Sequence, residues 1–363
     1  MLRIRIENLK GMSGERSRVI HIACSRILDA MPDKLDRFVL VTGGAGYVGS
    51  QAAKALAASG FVPVTYDNLI NGHRWAVQCG PFVEGDIGDR AKLAETIRRY
   101  KISAAMHFAA FAYVGESVRQ PERYFDNNVT KSLALLDALV DCRVRHIVFS
   151  SSCATYGLPD RMPIAEDAPQ HPLNPYGETK LIMERALRWY APVHDFTFVA
   201  LRYFNAAGAD PEGKLGEVHT PETHLIPLVL KAIDGNGSLE VYGGDYPTGD
   251  GTCVRDYVHV ADLADAHVKA LNYLQRGGAS IALNLGTGKG HSVKEVIGVA
   301  EEVTGRKVPH SIVSRRAGDP AILVADSRLA GKVLAWHPRY SDLSCIVRSA
   351  WKWHSEYFRE RLV

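Results

Sequence analysis

At 363 residues and 46% hydrophobic content, the chain is long enough to bury a substantial core, as two domains or as one large α/β domain with an appendage, and its composition is that of a folded chain. The 43 basic and 40 acidic residues leave a net charge of only +3, and no cluster of Lys and Arg interleaves with aromatics, so nucleic acid is excluded as a partner in favour of a small molecule. The six cysteines are scattered without a C-x-x-C pair or His/Cys ligand spacing, which predicts reduced thiols in the cytoplasm and no metal. Residues 1–36 mix Arg3, Arg5, Lys10, Arg16 and Arg18 with Glu7, Glu15, Asp29, Asp33 and Asp36, unlike a targeting peptide. Their apolar stretch near Val19 is broken by His21 and Arg26, too short to span a bilayer, and nothing later resembles a membrane helix. Because Met31 lies just upstream of the first strand signal, 1–36 is read as a dispensable, disordered extension or as a start assigned too early.

The stretch FVLVTGGAGYVGS, Phe38 to Ser50, joins an apolar β-branched run to a glycine-rich turn and small residues that open a helix. Gly43, Gly46 and Gly49 fit G-x-x-G-x-x-G, a variant of the dinucleotide fingerprint in which backbone amides at a helix start meet a pyrophosphate. The next strand, FVPVTYD, ends in Asp67 at about the 20-residue spacing of a ribose-binding carboxylate. A carboxylate there repels a 2′-phosphate, so NAD is expected rather than NADP.

Strand and helix signals then alternate: a helix over Gln51 to Ser59, PFVEGD, a helix over Arg90 to Tyr100, SAAMHFAA, a helix from Asn127 through Cys142, and the strand HIVFSSS. This predicts a Rossmann-type, doubly wound parallel sheet. The strand FTFVALRYF ends near Asn205, where regular alternation gives way to Gly- and Pro-rich connections; the nucleotide domain is set at 37–205 and a smaller substrate lobe at 206–363. NLGTG and a helix beginning at Ser292 are read as α/β structure within that lobe, and GTGKG, lacking Ser or Thr after its Lys, as a turn rather than a P-loop.

Tyr176 and Lys180 lie four apart in NPYGETKLIMERAL, on one face of a helix starting after Pro175. A phenol has a pKa near 10, but a lysine cation and a positively charged nicotinamide favour the phenolate, making it a base for a sugar hydroxyl. HIVFSSS delivers Ser150, Ser151 and Ser152 to the carboxyl edge of the sheet, where such folds bind ligands.

From FVLVTGGAGYVGS through VEGDI, HFAAFAYVGESV, NNVTKSLALL, FSSSCATYG, NPYGETK, LRYFNAAGADPEGKLGE, DGTCVRDYVHVADLADAHV, NLGTGKG and RRAGDP, the chain resembles the extended short-chain dehydrogenase/reductase family, most closely its UDP-glucose (UDP-galactose) 4-epimerases. The resemblance covers nearly everything after Arg37. It implies Ser152, Tyr176 and Lys180 as the catalytic trio; Gly43, Gly46, Tyr47, Val48, Gly49, Asp67, Asn68, Asp86, Ile87, Phe108, Ala109, Asn127, Lys180 and Phe204 around NAD; and Ser152, Tyr176, Asn205, Leu225, Arg255, Arg316, Asp319 and Leu323 around a UDP-sugar. It implies a homodimer as well. Ala112 stands where enterobacterial members carry Lys, and Ser152-Cys153-Ala154 replaces the Thr-Asp-Glu of the 4,6-dehydratases, leaving no acid pair for water elimination. GTCVRDY and SSCATYG also resemble UDP-arabinose 4-epimerases, and Leu323 stands where relatives carry a bulky Tyr or a small Cys admitting an N-acetyl group. The sugar therefore stays open between hexose, pentose (UDP-arabinose/UDP-xylose) and N-acetylhexosamine. A non-catalytic, NAD-sensing scaffold is the alternative from another class.

Overall fold

The computed structural model describes residues 37–359 apart from Ala317, so the extension at 1–36 lies outside the described residues. Seven parallel strands form one sheet, in spatial order Ile281–Leu285, Thr197–Tyr203, His146–Ser152, Ala104–His107, Phe38–Thr42, Val62–Asp67 and Phe82–Glu84. The run VLVT is buried because helices cover both faces of such a sheet, the reason it reads as continuously apolar. On one face, Leu56 and Ala52 of the helix Tyr47–Ala58 pack with Leu263, Ala266 and Leu271 of Val260–Gln275. On the other, Leu93 and Ile97 of Arg90–Tyr100 meet Leu135, Leu139, Met183 and Leu187.

The first helix begins at Tyr47, four residues before the expected start, and takes in Gly49, where a Cβ would stand 2.2 Å from the Gly43 carbonyl oxygen. The helix expected from Asn127 is divided: a π-turn at Asp126–Thr130 precedes the α-helix Lys131–Asp141. Such bulges gather at functional sites, and this one turns Asn128 so that its side chain brackets Phe111, accepting from the backbone N–H at 2.8 Å and donating to the carbonyl at 2.9 Å.

Strand Ile281–Leu285, read as part of the second lobe, pairs in parallel with Thr197–Tyr203 and closes the large sheet. A long crossover through the helix Val260–Gln275 returns the chain there, as parallel pairing requires. The remaining C-terminal elements are helices, among them Leu225–Ile233, Val293–Thr304 and Leu343–Arg359, and short strands, among them Asn205–Ala207 beside Tyr257–His259 and Val254–Arg255 between His291–Ser292 and Ile322–Leu323. They rest on a separate core in which Val229, Leu230, Val296, Ile346 and Val347 are buried. GTGKG is a turn that wraps the Asp256 carboxylate, which accepts from the N–H of Thr287 at 2.8 Å, its hydroxyl at 2.7 Å and the N–H of Gly288 at 3.0 Å. Its resemblance to a phosphate loop has a physical basis: the amides hold an anion supplied by the chain itself.

Candidate active site

The strand order reverses between Phe38–Thr42 and Ala104–His107, opening the crevice where doubly wound sheets bind ligands. Gly43 follows the first of these strands with φ of 72°, and a Cβ there would stand 2.5 Å from the backbone N of Ala109. Only glycine permits that approach. The N–H groups of Phe108 and Ala109 in turn donate to the Thr42 carbonyl at 2.9 and 3.1 Å. Gly46 caps the helix without a side-chain oxygen, and no acidic residue occupies its first turn, so the amides there are left for an anion.

Asp67 ends the second strand, 7% exposed. One carboxylate oxygen accepts from the Ala45 N–H at 3.0 Å and the other from Leu69 N–H at 2.8 Å. Burial raises its pKa, and these two backbone bonds oppose the rise. Asn68 donates to Asp86 at 3.1 Å, as does Lys131 at the same distance, while Ile87 is buried beside them. Asn127 is buried on the π-turn, Val48 lies in the first turn of the glycine helix, and Tyr47 donates to the carbonyl of Gly208 at 2.6 Å. Phe108 stacks 4.7 Å from the His267 ring, and buried Phe204 packs with Tyr156, Ile164 and Leu323. The glycine cradle, the uncapped helix start and an oriented carboxylate on the second strand together fit a dinucleotide.

Two strands along the sheet from Phe38–Thr42, His146–Ser152 carries Ser152 at its carboxyl end, where its Oγ accepts from the Ala154 N–H at 3.1 Å. The helix Pro175–His194 starts beside it: Asn174 accepts from the Gly177 N–H at 2.9 Å, and Pro175 occupies the first helical position. A Cβ on Gly177 would come within 2.4 Å of the Ala154 carbonyl, so glycine lets this helix sit directly on the turn after Ser152. Tyr176 and Lys180 therefore project next to Ser152. Lys180, 4% exposed, donates to the Ser150 carbonyl at 2.8 Å and holds its ammonium 5.9 Å from the centre of the Tyr176 ring. The ammonium thus spends a hydrogen bond on that carbonyl while its charge lies near the Tyr176 ring. Burial pulls the Lys180 pKa down to about 7. Burial also pushes the Tyr176 phenol above its ordinary range, opposed by a hydrogen bond with Ser152.

Beneath the trio lies a buried network absent from the sequence reading. Ser151 donates to Glu184 at 2.5 Å, Glu184 is paired with Arg202 at 2.6 Å, and Arg202 donates to Tyr156 at 2.8 Å. Asn128 donates to Thr179 at 3.2 Å, tying the π-turn to the catalytic helix. The only hint in the sequence was three polar side chains where a buried parallel strand should be apolar.

Among the expected substrate residues, Arg255 donates to Asp319 at 2.5 Å and stands in register with Leu323, which joins the cluster of Tyr156, Ile164 and Phe204. Arg316 lies 4.0 Å over the Tyr242 ring, and its carbonyl accepts from the Asp319 N–H at 3.3 Å. Asn205 opens the short strand Asn205–Ala207, and Leu225 opens the helix Leu225–Ile233. Cys153 is a packing residue of the Leu323 cluster, its thiol pushed up to about 12 by burial.

A glycine cradle at the switch point and a Ser-Tyr-Lys trio on a nearby strand and helix define a nucleotide-dependent enzyme acting on a hydroxyl or carbonyl group. In agreement, residues 39–286 match the model of the NAD dependent epimerase/dehydratase family, and the chain belongs to that family, with NAD as its cofactor. More particularly, it is 54% identical over 319 residues to a UDP-glucose 4-epimerase of Rhizobium leguminosarum bv. trifolii, covering 88% of this chain and 97% of that one. The structure is similar to UDP-glucose 4-epimerase from Brucella ovis in complex with NAD, with a TM-score of 0.85 and 54% identity over 87% of this chain and 97% of that one. It is also similar to the enzyme of that name from Stenotrophomonas maltophila with bound NAD and formylated UDP-arabinopyranose, with a TM-score of 0.87 and 44% identity over 89% and 99% of the two chains.

Proposed function

We propose that the chain is a UDP-glucose 4-epimerase, interconverting UDP-galactose and UDP-glucose through a 4-keto sugar. The observation that carries this reading is the meeting of Ser152, Tyr176 and Lys180 at the carboxyl edge of the sheet, two strands along from the strand that bears the glycine cradle. Gly43, Gly46 and Gly49 cradle the NAD diphosphate and Asp67 its adenosine ribose. When bound, NAD supplies a hydride acceptor for carbon 4, gives the hydride back, and adds a positive charge that favours the Tyr176 phenolate.

Tyr176, as phenolate, takes the proton of the sugar's 4-hydroxyl while hydride leaves carbon 4. Lys180 supports the phenolate with its charge, and Ser152 Oγ orients the reacting oxygen. The ketone then turns about its link to the anchored diphosphate, presenting the opposite face of carbon 4 to the position NAD would occupy, and Tyr176 returns the proton to oxygen 4. No net redox change results. Arg255 and Arg316 hold the diphosphate and Asp319 the uridine ribose, while few polar contacts hold the sugar and so permit it to turn. The 206–363 lobe carries these substrate residues, less the crossover helix and strand that serve the large sheet. A cytoplasmic homodimer completes the reading. Among the described residues no helix is long and apolar enough to cross a membrane. Sedimentation at micromolar concentration tests the dimer.

The activity test is conversion of UDP-galactose to UDP-glucose by purified protein without added oxidant or reductant. Absence of conversion, or net reduction of NAD in proportion to sugar consumed, contradicts the reading.

A further inference from the structure

Between Gly208 and His224 the chain runs along the glycine helix and the loop after the second strand. Gln51 donates to the Leu215 carbonyl at 3.3 Å, Lys54 binds Asp210 at 2.7 Å, and a ring nitrogen of His73 stands 3.1 Å from the Val218 carbonyl. Within this segment EVHTPETH brings together Glu217, His219, Glu222 and His224, with one carboxylate or imidazole atom from each lying within 4.8 Å of the others. Glu217 Oε1 is 3.3 Å from Nδ1 of His219 and 2.6 Å from Nδ1 of His224. Oxygens of Glu222 lie 3.8 and 3.4 Å from the same two nitrogens. Tetrahedral zinc, with bonds of about 2.0–2.1 Å to nitrogen and oxygen, sets its ligand atoms about 3.3 Å apart.

The orientation is as informative as the spacing. Glu217 Oε1, His219 Nδ1 and His224 Nδ1 are buried and take part in no hydrogen bond despite their proximity. The four ligand-type atoms therefore crowd together, and at these three positions they are not spent on hydrogen bonds to other groups. Without a cation, the four groups balance as two imidazolium–carboxylate pairs at 2.6 to 3.8 Å, with hydrogen-bond geometry unmet at Glu217 Oε1 and at both Nδ1 atoms; a cation would use the same atoms as ligands. The carboxyl side chains of Glu217 and Glu222 are 6% and 2% exposed, a costly placement for two anions without a compensating charge. Outer contacts hold the ligands in place: Glu222 accepts from the N–H groups of Thr223 and His224 at 2.8 and 2.9 Å, and the Tyr113 ring stands edge-on to His219 at 5.5 Å.

We propose that Glu217, His219, Glu222 and His224 bind one first-row divalent cation, zinc by preference, which fastens the 208–224 segment along the nucleotide-binding helix. Two imidazoles disfavour magnesium and calcium, and four protein ligands leave no open position, as in a structural rather than a catalytic site. The signal in the sequence is the short spacing of ligand-type residues, E-x-H-x-x-E-x-H; Cys/His patterns, on which the absence of a metal is expected, leave carboxylates paired with histidines out.

The test is a Co2+ titration of the full chain, free of any polyhistidine tag and stripped with chelator. The expected result is saturation at one Co2+ per chain with the visible absorption of a tetrahedral ion, displacement by Zn2+, and a rise in Tm on adding Zn2+. His219→Gln and Glu217→Gln should each weaken binding at least tenfold and remove the absorption, while His310→Gln, at an exposed histidine elsewhere, should not. Absence of one-equivalent tetrahedral binding by the native chain overturns the proposal, even where a variant fails to fold. So does an unchanged absorption in folded His219→Gln.

Discussion

Around the glycine loop, Gly43, Asp67, Ala109 and Ser152 are fixed by parallel strands and backbone hydrogen bonds, whereas Arg255, Asp319 and Leu323 sit on two-residue strands or a loop and are held largely by one another. The first arrangement gives the chemistry a rigid frame, as precise proton and hydride transfer require. The second leaves substrate selection to a few side chains on short elements, which can change without disturbing the frame. If that division holds, substitutions in the first half should affect turnover and those in the second should affect KM or the choice of sugar.

Tyr176→Phe should have the largest effect, lowering turnover by at least about a hundredfold, the usual scale for loss of a general base, with the fold intact by circular dichroism. Near-normal turnover removes Tyr176 from the mechanism.

Lys180→Met should lower turnover as well, yet raise stability. The folded pKa of Lys180 is about 7, against about 10.4 in an unfolded chain. Between these values the unfolded chain binds the extra proton, so stability rises with pH through that window, and the cost of burying the ammonium is greatest below pH 7. Replacement by Met should therefore stabilise the protein by an amount on the order of 2 kcal/mol near pH 6, shrinking toward pH 10. Thermal melts across that range check it; a gain that grows with pH reverses the sign of the argument.

Asp319→Asn breaks the ion pair with Arg255 and should raise KM for UDP-galactose about tenfold while leaving kcat nearly unchanged. A fall in kcat alone would place Asp319 in the chemical half instead.

The smallest effect concerns Leu323. The main pair is expected to be UDP-glucose and UDP-galactose, with slower conversion of UDP-N-acetylglucosamine, and Leu323→Tyr should shift the ratio of the two rates toward the hexoses by about tenfold. If Leu323→Cys alone shows N-acetyl activity, Leu already closes the pocket; if neither variant changes the ratio, Leu323 only fills the wall it shares with Tyr156 and Phe204.

The same division explains what could be read from the sequence. Gly43, Asp67, Tyr176 and Lys180 depend on short-range periodicities, a turn, a strand end and one helical face, which the local sequence encodes directly. Ser151, Glu184 and Arg202 are joined only by the pairing of strands and the packing of a helix, so their partnership has no local signature. NLGTG signals α/β structure near residue 285, but that the strand Ile281–Leu285 belongs to the large sheet depends on a crossover that periodicity does not specify. Arg255 and Asp319 were expected to meet substrate; that they also bind each other follows from the parallel pairing of Val254–Arg255 with Ile322–Leu323.

The central claim is that hydride leaves carbon 4 and returns to the same atom inside a closed site. Conversion of UDP-galactose carrying deuterium at carbon 4, in ordinary water, tests it most directly. The expected product is UDP-glucose with the deuterium retained at carbon 4, observed by NMR. Washout of the label into solvent would contradict it.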